Sequence, residues 1–129
     1  AGQNQGLGAY NIYIGYNAGR GNIERDYQIC IGHNASGGTA FSSVVIGAEA
    51  GHISNQSGNN VYMGRAVGAA WSNGGGNTVL GHNAGTFKSS GSKCTIVGST
   101  AGIQGTADNL VAVGYGASYC WLPSWPCYY

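Results

Sequence analysis

Seven times in this chain an apolar strand runs into a glycine, with a small residue three positions later and then Gly or Ser. The copies are Asn11 to Gly19 (NIYIGYNAG), Gln28 to Ser36 (QICIGHNAS), Ser43 to Gly51 (SVVIGAEAG), Asn60 to Gly68 (NVYMGRAVG), Asn77 to Gly85 (NTVLGHNAG), Cys94 to Gly102 (CTIVGSTAG) and Leu110 to Ser118 (LVAVGYGAS). Their central glycines are Gly15, Gly32, Gly47, Gly64, Gly81, Gly98 and Gly114, so successive differences are 17, 15, 17, 17, 17 and 16. A period this short holds neither a helix pair nor a propeller blade. It suits one coil of a β-solenoid, in which each repeat buries its apolar side only by stacking on the next.

The repeats run almost end to end through 129 residues, leaving room for one repeat domain over 1–118 and a short C-terminal segment over 119–129. The 25 glycines keep step with the apolar triplets, unlike those of a disordered linker, and with only 2 prolines and no Gly-X-Y period the chain is not collagen-like. Charged residues make up 7 % and the formal net charge is +1, so no basic field exists to attract a phosphate backbone and nucleic acid is not an expected partner. So little charge would serve the solubility of a small monomer poorly, which favours a surface covered by other subunits. No stretch approaches the roughly 20 apolar residues needed to cross a bilayer, so this segment is not expected to insert in a membrane. The opening AGQNQGLGAY contains a GLGA like a worn half-repeat, and further coils are expected before residue 1.

Within a repeat, side chains alternate across the strand. The positions third before and just before the central glycine (Ile12 and Ile14 in the first copy) share a face and are expected to point inward. The residue between them should point outward, yet it is Tyr13, Cys30, Val45, Tyr62, Val79, Ile96 and Ala112. A strand apolar on both faces is normally covered on both. These seven residues are therefore expected at an interface with another chain. The central glycine is expected to supply a sharp turn or positive φ, and Ala18, Ala35, Ala50, Ala84, Ala101 and Ala117 a crowded corner, with Val67 the exception. The intervening residues, such as 22–26, 54–59, 72–76 and 88–92, read as an outer strand or loop facing water. Asn11, Asn60 and Asn77, with Gln28 and Ser43 substituting, suit either a stacked amide ladder or a simple turn.

The pattern Asn-x-apolar-x-apolar-Gly-x-x-Ala-Gly, over about residues 6 to 118, resembles the YadA-like head repeat of trimeric autotransporter adhesins. It is also similar to repeats of bacteriophage tail fibres and of surface fibres of predatory bacteria. The resemblance implies a left-handed parallel β-roll of about seven coils per chain, three chains around a common axis, and adhesion to a host or prey cell-surface glycan or protein. It also implies an extracellular position on a cell surface or virion. Repeats in the best-known heads are slightly shorter, so longer outward loops are expected here.

After Ser118 the period stops and YCWLPSWPCYY follows, carrying Tyr119, Trp121, Trp125, Tyr128 and Tyr129. Cys120 and Cys127 bracket a loop stiffened by Pro123 and Pro126, and a disulfide between them is expected, in keeping with an oxidising compartment. The segment suits a cap over the open end of the solenoid. Its clustered aromatics also suit a receptor site, since Trp and Tyr offer flat apolar platforms with polar edges. The coil flanks carry few comparable anchors beyond Phe41, Trp71 and Phe87. Cys30 and Cys94 lie four coils apart, roughly 19 Å at one strand spacing per coil, too far to bond within a chain.

No catalytic constellation emerges. Glu24, Asp26, Glu49 and Asp108 are scattered, no Ser, His and Asp stand at a motif spacing, and the GGxGxD of calcium β-rolls is absent. His33 and His82 follow central glycines three coils apart. They read as packed or hydrogen-bonded residues, although three copies of one could meet on a threefold axis. No row of outward Thr suggests ice binding. The expectation is a non-enzymatic, cofactor-free, homotrimeric fibre adhesin tip, or alternatively a structural shaft or spacer of a longer fibre.

Overall fold

A computed structural model describes residues 1–2, 8–20, 25–36, 41–51, 58–71, 73–88, 90–106 and 108–118. Among them there is no helix. The strands are β1 (Ile12–Ile14), β2 (Ile29–Ile31), β3 (Val44–Ile46), β4 (Val61–Met63), β5 (Thr78–Leu80), β6 (Phe87–Lys88), β7 (Thr95–Val97), β8 (Gln104–Gly105) and β9 (Val111–Val113). Seven of them form one parallel sheet in the order β1-β2-β3-β4-β5-β7-β9, one strand per repeat. The register is strict: Tyr13 pairs with Cys30, Cys30 with Val45, Val45 with Tyr62, Tyr62 with Val79, Val79 with Ile96 and Ile96 with Ala112. The chain is a parallel β-solenoid. Among the described residues a second, shorter pairing exists: β6 pairs with β8, and Asn73 bridges Ser90.

Each coil turns where the backbone enters left-handed space. The central glycines have φ between 122° at Gly15 and 140° at Gly64, a region closed to most L residues. The coils also approach closely there, because a Cβ on Gly15 would lie 2.6 Å from the Gly32 carbonyl oxygen. Two residues on, Asn17, Asn34, Glu49, Ala66, Asn83 and Thr100 all have φ near +55°. Asn tolerates this; Ala66 and Thr100 are carried into it by their neighbours.

The inside and the outside of the sheet are the reverse of the sequence expectation. Cys30, Val45, Tyr62, Val79 and Ile96 are 0–1 % exposed, Ala112 is 4 % exposed, and Tyr13 packs against them. This row is the solenoid's own core and cannot be the interface between chains. The rows beginning at Ile12 and Ile14 face out instead. The reason is the thinness of the coil. The wall opposite the sheet is the corner Ala18, Ala35, Ala50, Val67, Ala84 and Ala101, all fully buried, followed by a glycine or serine. A Cβ on Gly51 would sit 3.3 Å from Val45, one on Gly68 3.1 Å from the Tyr62 ring, and one on Gly102 2.6 Å from Ile96. Such a lumen is one side chain deep and takes a single apolar row per strand. Two inward rows of Ile and Val would not fit.

Trp71, expected on a flank, is also fully buried. It lies tilted against Tyr62 with centroids 6.0 Å apart, and its Nε1–H donates to the Asn73 carbonyl at 3.0 Å. The Tyr62 hydroxyl is buried with no hydrogen-bond partner. Burial is the main cause that holds this phenol well above its usual range; the nearby Asn77 amide acts weakly the other way.

The polar row before each strand stitches coil to coil through side chain and backbone. Asn11 Oδ1 accepts from the Gln28 N–H at 2.8 Å, Ser43 Oγ from Asn60 at 3.3 Å, Asn60 Oδ1 from Asn77 at 3.0 Å and Asn77 Oδ1 from Cys94 at 2.9 Å. Asn77 Nδ2 donates onward to the Gly91 carbonyl at 3.1 Å. The role is a ladder, with each amide gripping the next coil's backbone rather than the next amide.

Candidate functional site

An apolar surface follows from that reversal. The outer face of the seven-stranded sheet carries two columns, Ile12, Ile29, Val44, Val61, Thr78, Thr95, Val111 and Ile14, Ile31, Ile46, Met63, Leu80, Val97, Val113. All are aliphatic except Met63 and two adjacent Thr, and none is charged. Ile14 is 58 % exposed, Met63 43 % and Val113 65 %. Six strand spacings make the ladder ~29 Å long, and two residues along each strand make it ~7 Å wide. With flanking side chains the patch is on the order of 300 Å², the lower end of the range of the largest apolar patches on soluble monomers, which are often functional.

Exposed aromatic pairs border this ladder at its β1–β2 end. Tyr10 stacks on Tyr27 with centroids 5.1 Å apart and planes at 6°, and Tyr16 stacks on His33 at 5.5 Å and 12°. The Arg25 guanidinium lies 4.4 Å over the Phe41 ring. Sequence reasoning missed the two tyrosine stacks. The signal was available, because Tyr10 and Tyr27 stand at equivalent positions in successive repeats, as do Tyr16 and His33. Beside Tyr16 a cavity of about 100 Å³ is lined by Asn17, Arg20, Asn34 and Ser36. At the other end Thr100, Ile103, Tyr115 and Gly116 line an open hollow of about 320 Å³.

The remaining expected sites separate into those the structure brings together and those it does not. Asp26 and Asp108 are structural: their Oδ1 atoms accept from the backbone N–H of Ala9 and of Ser92, each at 2.7 Å, at the same point of two different coils. Glu49 is exposed, and no group of three or more His, Cys, Asp or Glu able to hold a metal occurs among the described residues. Cys30 and Cys94 are buried and not disulfide-linked; the Cys30 Sγ lies 3.7 Å from Gln28 Oε1. The C-terminal candidates Tyr119, Cys120, Trp121, Trp125, Cys127, Tyr128 and Tyr129 lie outside the described residues, as does the expected Cys120–Cys127 bond.

Fold and surface together define a parallel β-solenoid with one uncovered aliphatic wall and an aromatic-rich end. No family model matches the chain, and no match is found among the curated proteins or the solved structures.

Proposed function

We propose that this chain is part of a non-enzymatic, homotrimeric extracellular fibre, a left-handed roll in each protomer, whose C-terminal tip recognises a cell-surface glycan or protein. The observation that carries the assembly is the uncovered aliphatic ladder on the outer sheet face. It is continuous over all seven rungs and uncharged, and it matches in period any second chain with the same rung spacing, above all another copy. The number three comes from the resemblance of the repeat to trimeric adhesin heads and tail-fibre segments. In this arrangement Ile12, Ile14 and their equivalents meet around the axis, while the Tyr13 row stays within each protomer. The tip supplies Trp121, Trp125, Tyr128 and Tyr129 in threefold copy, closed by Cys120 and Cys127, so that contacts feeble one at a time act together.

Two measurements test this reading. Light scattering should return three chains, about 39 kDa from 13.1 kDa each; a monomer would refute the assembly. Adhesion and melting temperature measured on Trp121→Ala and Trp125→Ala should show adhesion lost; unchanged adhesion in both variants would leave a spacer as the remaining role.

A further inference from the structure

One corner of the solenoid, in its first two described repeats, gathers a guanidinium, two amides and a hydroxyl around one cavity. Asn17 and Asn34 occupy the same turn in the first two coils, each with φ near +55°, and Asn17 Nδ2 donates to Asn34 Oδ1 at 3.2 Å. The Arg20 N–H donates to the Asn17 carbonyl at 3.2 Å, which closes the turn and keeps the exposed Arg20 on the same corner. Together with Ser36 these side chains line a cavity of about 100 Å³, with no carboxylate among the described residues that line it. That volume admits a carboxylate and the edge of the ring bearing it, not a whole oligosaccharide. The Tyr16–His33 stack stands beside it, with Tyr16 71 % exposed.

We propose that this β1–β2 corner binds a carboxylated saccharide of the uronic-acid type. Arg20 takes the carboxylate through its forked N–H pair. The Asn17–Asn34 amides hydrogen-bond the ring oxygen and hydroxyls, and the Tyr16–His33 stack bears the sugar's C–H face. Charge complementarity points to the ligand class: among the described residues that line the pocket, the ionised side chain is the Arg20 guanidinium. No later repeat carries Arg at this position: Gly37, His52, Ala69, Thr86 and Ile103 stand where Arg20 does in the five repeats that follow.

The test is a titration of the isotope-labelled chain with trigalacturonate and, separately, with neutral maltotriose, followed through the side-chain amide resonances of Asn17 and Asn34. Trigalacturonate should give saturable shifts at least tenfold tighter than maltotriose, weakened at least tenfold by Arg20→Ala and by Asn34→Asp. Both positions are on the surface and Asp tolerates the left-handed turn, so strand content by circular dichroism should stay unchanged. Equal response to the neutral sugar, or full affinity in Arg20→Ala, would overturn the proposal. Trp121→Ala should bind trigalacturonate like the parent chain, even where it loses adhesion; loss of uronate binding in that variant would move the site to the tip.

Discussion

Replacing Ile14 and Met63 by Glu separates the two faces of the sheet. In a single protomer Ile14 is 58 % exposed and Met63 43 %, so the charges enter water and the coil should lose no more than ~0.5 kcal/mol. Covered by neighbouring chains, the two side chains would remove on the order of 80–100 Å² each, worth ~2 kcal/mol apiece and ~12 kcal/mol over three chains. The Glu pair abolishes this and places like charges around one axis, which adds repulsion and desolvation of the same sign. If the ladder is the assembly face, the double variant should run as a monomer by light scattering at concentrations where the parent scatters as three chains, with its strand signal retained. Tyr62→Ala, on the other face, should do the reverse. It empties the core beside Trp71, costs about 3–5 kcal/mol as for other aromatic truncations, and lowers the melting temperature of each coil. An unchanged mass for Ile14→Glu/Met63→Glu at every dilution would refute the assignment of this ladder as the assembly face.

Three further perturbations probe the coil itself. Gly64→Ala puts a side chain at φ 140° with its Cβ 2.5 Å from the Gly81 carbonyl oxygen; thermal melting should report a loss of ~3 kcal/mol or more. Asn77→Ala strands the buried N–H of Cys94, which Asn77 Oδ1 now accepts at 2.9 Å, and should destabilise by about 1–3 kcal/mol in denaturant titration. Tyr62→Phe removes a buried hydroxyl that has no hydrogen-bond partner and should be neutral or stabilising. The same variant carries a pH signature. Folding holds the Tyr62 proton more tightly than the unfolded chain does, so this contribution is intact below about pH 10 and is lost as pH rises above it. Tyr62→Phe should therefore melt less steeply with pH above 10 than the parent, and parallel curves would sink the assignment.

The architecture was legible because every repeat marks its own corners. Gly15 and its six equivalents need positive φ, and the small residue three places on needs a crowded wall; both needs are written as residue types that few other folds impose at this spacing. Which face of the strand turns inward was not legible from the strand alone, because Ile12-Tyr13-Ile14 is apolar at every position and alternation gives two phases but not their sign. The sign was present in the other wall. An Ala-Gly corner leaves a lumen one side chain deep, and only the single central row fits it, however bulky the paired outer rows are. Hydrophobicity counts favoured the two-residue face as core, and steric room decided against it.

That same steric limit explains why the aliphatic wall exists. A coil this thin buries a single row of strand side chains, with Trp71 added in the coil of Tyr62, and backbone pairing between rungs holds the sheet whatever its outer side chains are. The outer columns are thus free of the fold's own requirements, and a lone solenoid would be expected to fill them with charge, as exposed sheet faces usually are. Here fourteen positions carry none. Beside the sheet, just after the central glycine, Arg65, His33 and His82 do appear, so the chain tolerates polar and charged groups two residues away. The restriction to Ile, Val, Leu, Met and Thr is confined to the face that a neighbouring chain would cover.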